Sequence, residues 1–140
     1  MQIPRQIPGL KWATALLGLY GMVWMALEGT LLRETLLGAS ATAVALAHLT
    51  QRFLGARRLP RALWLLAAGG LGALGGAGSA ILTLVFMALK TGLHAHGPEF
   101  TPAEINWVAA QIPLWTATGG LAGVGLGLIV SAAWAEQPNE

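Results

Sequence analysis

Residues 112–135 read IPLWTATGGLAGVGLGLIVSAAWA, without a charged side chain and with a tryptophan near each end. Trp115 and Trp134 are 19 residues apart, or about 28 Å at the helical rise. This distance matches the hydrocarbon core of a bilayer, roughly 30 Å thick and bordered by aromatic side chains. We therefore predict a membrane-spanning helix over 112–135.

Glycines recur at four-residue spacing in two apolar segments of the chain. Gly119, Gly123 and Gly127 share one face of the 112–135 helix, and Gly72 and Gly76 share a face of an earlier apolar segment. Glycine at this spacing lets another helix backbone approach closely, which favours tight packing between helices in lipid. These five glycines are the predicted helix-packing residues.

The composition agrees with a membrane protein and excludes several kinds of site. Hydrophobic residues make up 55% of the chain and charged residues only 10%, whereas a soluble domain carries about 25% charged residues. The chain has no cysteine, which excludes disulfides, thiolate metal sites and iron–sulfur clusters. The net charge of +2 comes from basic residues near predicted helix ends, so it predicts membrane topology and no nucleic-acid partner.

Four apolar segments can be drawn, and they predict an all-α, polytopic membrane protein. They cover approximately residues 10–27, 31–50, 62–89 and 112–135, within a single transmembrane helical domain over 1–140. Each is close to or above the 17 to 25 residues that a helical span needs. The first segment resembles a signal peptide but is long for its apolar region, so we expect a retained anchor.

A short helix is predicted on the membrane surface before the fourth span. Thr101 and Glu104 have the spacing of a capping box, with Pro102 at the first helical position. Pro113 then falls inside the apolar pattern, where proline removes a hydrogen bond and bends a helix. We predict an interfacial helix over 102–112 and a kink into the span.

The distribution of basic residues predicts the orientation of the chain. Arginine-dense short loops stay in the cytoplasm, and residues 51–61 contain four arginines. Because two membrane crossings separate them from residues 51–61, Arg5 and Lys11 lie on the same side as that loop. Only Arg33 and Lys90 then lie on the other side. We therefore predict a multi-pass cell-membrane protein with both termini in the cytoplasm.

Two polar residues are candidates for the interior of the bundle. His48 follows a run of small apolar residues, and Gln111 lies just before Pro113. We interpret His48 as the donor or acceptor of an interhelical hydrogen bond, with ligation of a haem or chlorin shared with another subunit as the alternative. We interpret Gln111 as part of a structural kink, with a broken helix lining an ion or substrate pathway as the alternative.

His94 and His96 are the only local metal-ligand pattern, and they are weak candidates. Glu99 and Glu104 lie nearby in sequence, and Glu28 and Glu34 are predicted on the same side of the membrane. Imidazole and carboxylate groups suit zinc or copper. Two histidines on a polar loop are nevertheless usually solvated, so we expect no bound metal or other cofactor.

The sequence contains none of the common catalytic motifs, and it has no aspartate. We therefore predict no enzymatic activity. The first functional hypothesis is a noncatalytic structural or accessory subunit, partnered by the lipid bilayer and by other membrane subunits or copies of itself. The alternative is a small homo-oligomeric channel or carrier, which the hydroxyl side chains of the spans would favour.

Overall fold

The structure is a computed structural model that describes residues 3–93 and 98–135. Four α-helices follow one another along these residues, and they are α1 Leu10–Ala26, α2 Leu31–Leu54, α3 Arg61–Leu93 and α4 Pro102–Ala135. The prediction of an all-α chain with four helices is confirmed.

Two of the four helices are long and apolar enough to cross a membrane. They are Arg61–Leu93, with a mean hydropathy of 1.8, and Pro102–Trp134, with a mean hydropathy of 1.5. α1, with 17 residues, and α2, with charged residues in both terminal turns, do not meet this measure. Length and hydropathy thus identify two candidate spans among the described residues, where the sequence predicted four.

The two predicted helix starts have the expected caps. The Arg33 N–H donates to Thr30 Oγ1 at 3.3 Å at the start of α2. At the start of α4, the Glu104 N–H donates to Thr101 Oγ1 at 3.2 Å, and the Thr101 N–H donates to Glu104 Oε2 at 2.8 Å. The second pair is a complete capping box.

The interfacial helix predicted over 102–112 is not a separate element. α4 runs without interruption from Pro102 to Ala135 and contains Pro113, so the prediction of a separate short helix before the fourth span was wrong. Pro113 removes one backbone hydrogen bond, the one to the carbonyl of Ala109, and its ring crowds that carbonyl. A long helix can absorb this one loss, and at about 1.5 Å per residue α4 is roughly 51 Å long.

α3 lies between α2 and α4 and packs against both. The largest interface is between α3 and α4, followed by that between α2 and α3, while α1 makes a much smaller interface with α2. Both large interfaces are antiparallel, since Gly72 faces Gly119 and Gly78 faces Thr42. The helices therefore follow their chain order in space.

The apolar core is small and lies near the α3–α4 connection. Met87, Phe100 and Val108 form it. Elsewhere large apolar side chains are exposed on the helices, including Trp12 at 77% and Leu121 at 74%. Exposed apolar surface on this scale is typical of a protein that contacts lipid or a protein partner.

Candidate functional site

The backbones of α3 and α4 meet along a row of glycines, which we call the glycine seam: Gly72, Gly76, Gly119 and Gly123. A Cβ atom on Gly72 would collide with the carbonyl of Gly119, and one on Gly76 with the carbonyl of Trp115. The contacts repeat every fourth residue on each helix. The helices can therefore approach this closely only because these positions lack side chains.

Gly127, four residues after Gly123 on α4, also contacts α3, but through side-chain atoms. A Cβ atom there would lie 3.0 Å from Ala68 Cβ and 3.2 Å from Leu65 Cδ2, both side-chain atoms. The indole Nε1–H of Trp64 donates to the Gly127 carbonyl at 3.0 Å. This hydrogen bond connects the first turn of α3 with the last turns of α4. The glycine spacing did not predict it.

A shallow groove of about 590 Å³ runs along α3 between α2 and α4, and we call it the α2–α4 groove. The glycine seam forms part of its floor, and Ala39 and Ala43 of α2 and Ala122 of α4 form part of its walls. Glycine and alanine make up more than half of its lining, together with hydroxyl side chains and the larger Trp115 and Leu126. A further helix with a small-residue face can pack against such a lining.

Hydroxyl groups in the helices bond to the backbone of their own helix. Seven serine and threonine side chains donate to the carbonyl four residues earlier, at 2.6–2.9 Å, and they are Thr14, Thr42, Ser79, Thr83, Thr116, Thr118 and Ser131. A hydroxyl bonded in this way needs no water or partner helix. These residues can therefore lie against lipid or within helix contacts.

His48 lies at the exposed edge between α1 and α2, and not in the bundle interior that the sequence predicted. Its Nε2 is 2.8 Å from Thr14 Oγ1, and the Thr14 hydroxyl donates to the Leu10 carbonyl at 2.8 Å. A hydroxyl has one proton, so Nε2–H must be the donor to Thr14. This hydrogen bond engages Nε2 and leaves the lone pair of the neutral imidazole on Nδ1.

Of the other predicted site residues, Gln111 is the one that the structure describes. Gln111 is half-buried on α4, two residues before Pro113. His94 and His96 lie outside the described residues. Within 3–93 and 98–135, no group of three or more metal-ligating side chains is close enough to hold a metal ion.

Sequence reasoning missed a buried charge cluster at the end of the molecule opposite the arginine-rich loop. Glu34 and Lys90 are both completely buried. The Trp24 indole donates to both carboxylate oxygens of Glu34 at 2.9 Å. Lys90 Nζ donates to the backbone carbonyls of Trp24 at 2.7 Å and Met25 at 3.3 Å.

The cluster matches the helix dipoles that end there. Lys90 donates to carbonyls at the C-terminus of α1, where positive charge is favourable. Glu34 lies in the first turn of α2, where negative charge is favourable. Glu99 Oε2 accepts from the Gly29 N–H at 2.6 Å, in the connection between α1 and α2. The cluster thus joins α1, α2, α3 and the residues before α4.

Two features of the sequence could have indicated this cluster. An up-and-down arrangement of four helices brings the α1–α2 turn to the same end as the α3–α4 connection. Glu34 and Lys90 lie beside those two connections and have opposite charges. Charges too deep to reach the headgroups are usually paired within the protein.

Comparison of the chain with protein-family models, with curated proteins and with solved structures gave no match. We therefore infer the function from the glycine seam, the α2–α4 groove and the buried charge cluster.

Proposed function

We propose that this chain is a noncatalytic structural or accessory subunit of a membrane assembly. In this proposal all four helices cross the bilayer, both termini are cytoplasmic, and the α2–α4 groove receives a helix of another membrane protein or of a second copy. The groove is the observation that carries the proposal.

The groove supports a helix-binding role because of its size, shape and lining. Lipid gives no hydrophobic driving force for helix association, so association in membranes depends on close packing. Small side chains such as Ala39, Ala43 and Ala122 allow that packing over the length of the groove. The floor is already rigid, since α3 and α4 touch through backbone atoms at Gly72 and Gly119.

Four spans are supported by the exposed faces of the two shorter helices. Trp12, Leu16 and Met22 of α1 are 77%, 65% and 68% exposed, and Leu32 of α2 is 68% exposed. Seventeen residues is the lower limit for a span, and α1 reaches it. The charged groups Glu34 and Lys90 are buried within the protein, so they do not oppose membrane insertion of the helices that carry them.

A noncatalytic role is supported by what the buried ionisable groups do. Glu34 accepts from Trp24, Lys90 donates to the last carbonyls of α1, and Glu99 accepts from Gly29. Each of these hydrogen bonds connects helix ends, so the three ionisable groups have a structural role.

A homo-oligomeric channel or carrier is the weaker proposal. It depended on the hydroxyl side chains of the helices as polar lining for a pathway. Those hydroxyls donate to their own helix backbones, for example Thr118 to the Leu114 carbonyl at 2.9 Å. A hydroxyl satisfied in this way does not require an aqueous path.

Site-directed crosslinking in native membranes tests the subunit proposal. The chain has no cysteine, so Ala122→Cys introduces a single attachment point in the groove for a photoreactive maleimide. Leu121→Cys is the matched control, because Leu121 is 74% exposed and does not line the groove.

We expect Ala122→Cys to give one crosslinked species of defined mass, and Leu121→Cys to give mainly lipid adducts. Co-expression of two differently tagged copies then distinguishes a second copy from a different protein. Lipid adducts alone at both positions would contradict the proposal.

Reporter fusions test the orientation. Fusions after Glu140 and within residues 51–61 should report the cytoplasm, and a fusion within residues 94–100 should report the opposite side. An extracytoplasmic 51–61 loop would contradict the proposed topology.

A further inference from the structure

The described charges lie near the two ends of the molecule, and Arg33 and Lys90 are the two described basic residues at the end that also contains the acids. Six basic residues lie at the end formed by the start of α1, the end of α2 and the start of α3, and all are exposed: Arg5, Lys11, Arg52, Arg57, Arg58 and Arg61. The acids among the described residues lie at the opposite end, and they are Glu28, Glu34, Glu99 and Glu104. Glu136 and Glu140 are outside the described residues. We call the first of these the basic end.

A groove of about 560 Å³ opens at the basic end between residues 6–12 and the last turns of α2. Backbone and side-chain hydrogen bonds hold its walls together. The Ile7 N–H donates to Gln51 Oε1 at 2.9 Å, the Ile3 N–H donates to the Arg57 carbonyl at 3.1 Å, and the Ala56 N–H donates to the Ile3 carbonyl at 3.0 Å. The groove is therefore a built feature of the fold.

The lining of this groove combines polar and apolar groups. Lys11, His48 and Gln51 contribute polar groups, while Ile7, Pro8 and Trp12 contribute apolar surface. The hydrogen bond from His48 to Thr14 holds the imidazole at the groove. A cationic group beside apolar surface suits a ligand that has an anionic head and an apolar body.

We propose that this groove binds the phosphate headgroup of an anionic phospholipid. The proposal depends on the membrane placement given above but not on the role as a partner subunit. Lys11 lies in the first turn of α1, at the level where a span that begins at Leu10 meets the headgroups. Basic pockets between helices on the cytoplasmic side of a membrane are suited to phospholipid headgroups.

Trp12 is the reason to choose a lipid over soluble phosphate. Its side chain is 77% exposed and lies at the mouth of the groove next to Lys11. Tryptophan is favoured at the membrane interface, where its ring contacts both headgroups and acyl chains. A soluble phosphate ion would gain nothing from this exposed indole.

Native mass spectrometry of the full chain in detergent tests the proposal. The purified protein is titrated with phosphatidylglycerol and, separately, with phosphatidylcholine. Lys11→Gln removes the cation of the groove, and Arg61→Gln is the matched control, because Arg61 is exposed at the same end but does not line the groove. Circular dichroism checks that both variants keep their helix content.

We expect the parent to prefer phosphatidylglycerol, and Lys11→Gln to lower that preference about fivefold, the effect of one basic residue near an anionic surface. Arg61→Gln should keep most of the preference. An equal loss in both variants would overturn the site in favour of diffuse attraction to the basic end.

Two further outcomes would also overturn the proposal. Equal binding of the two lipids by the parent would exclude headgroup recognition. Displacement of the lipid by millimolar inorganic phosphate would make the groove a phosphate site. These results concern the isolated chain, so they are independent of the crosslinking test of a partner subunit. Recovery of the chain in the soluble fraction of cells would instead contradict the membrane placement.

Discussion

Replacing Gly123 with alanine adds a single methyl group at a point where the backbones of α3 and α4 are in contact. That Cβ would collide with the Ala68 carbonyl oxygen and would lie 3.0 Å from the Ala68 carbonyl carbon and 3.1 Å from Gly72 Cα. All three atoms belong to the backbone of α3. They can move only if the two helices separate, so this methyl cannot be accommodated by a change of rotamer.

Gly125 provides the matched control two residues later on the same helix. A Cβ atom there has no heavy atom within 4 Å. Both Gly→Ala changes gain the same helix propensity, about 1 kcal/mol, so this gain cancels when the two variants are compared. The remaining difference is the cost of overpacking, about 1–3 kcal/mol.

Unfolding in mixed micelles with increasing SDS, followed by circular dichroism, measures this difference. We expect the free energy of unfolding of Gly123→Ala to lie about 1–3 kcal/mol below that of Gly125→Ala. Gly125→Ala should equal or exceed the parent. Equal unfolding midpoints for the two variants would refute the reasoning, because the glycine seam would then not set the distance between α3 and α4.

Three other predictions concern the polar contacts. Lys90→Met removes the ammonium group that donates to the carbonyls of Trp24 and Met25 and leaves these carbonyls without that donor, so we expect it to lower the free energy of unfolding by about 1–3 kcal/mol in the same SDS assay; an unchanged midpoint would contradict this. Thr14→Val removes the hydroxyl that accepts from His48 and should lower the free energy of unfolding by about 1 kcal/mol. Thr118→Val is the control, because that hydroxyl bonds within α4, and it should lower the melting temperature less than Thr14→Val does. Hydrogen bonds from Thr101 lower the pKa of Glu104, which lies before the 112–135 span, so the cap stabilises α4 fully above the ordinary glutamate pKa and loses this effect as the pH falls through the lowered value. Amide exchange in the first turn of α4 should therefore accelerate in acid, and a rate that does not change relative to the middle of the helix would contradict this.

The helix ends were predictable because their signals are local. The capping box of Thr101 and Glu104 and the single cap of Thr30 each involve residues within one helical turn, so the sequence alone contains the whole interaction. The start of α1 at Leu10 follows Gly9, which has a φ of 77°. At such positions the sequence predicts the structure directly.

The contacts of the glycines were not predictable to the same degree. Spacing indicated that Gly72 and Gly119 lie on packing faces, but spacing does not specify which residues face each other. Ala68 and Trp115 complete the seam. Ala68 carries no sequence signal distinct from its apolar surroundings, and Trp115 was interpreted only as a marker of the membrane interface. The pairing depends on the vertical alignment of α3 and α4, which the glycine spacing on each helix does not specify.

The charge cluster was missed for the opposite reason, since its residues were noticed and interpreted separately. Glu34 was considered only as a carboxylate on the same side as the candidate metal ligands, and Lys90 was used only to predict topology. Their burial depends on contacts between residues far apart in sequence, such as Lys90 Nζ with the Trp24 carbonyl at 2.7 Å. Single-segment reasoning cannot evaluate such contacts.

The way α1 is attached to the other helices follows from the weak driving force for helix association in lipid. Its interface with α2 is the smallest between successive helices, and side chains along its middle, such as Leu16 and Leu19, are exposed. Polar contacts hold both its ends: Thr14 with His48 near one, and Trp24 with Glu34 at the other. Apolar surface against lipid gives little reason for two helices to pair, so directional hydrogen bonds at the ends are the effective way to hold a helix whose glycines, Gly18 and Gly21, have no close contact with another helix. α1 is therefore positioned by its ends, while α3 and α4 are positioned along their length by the glycine seam.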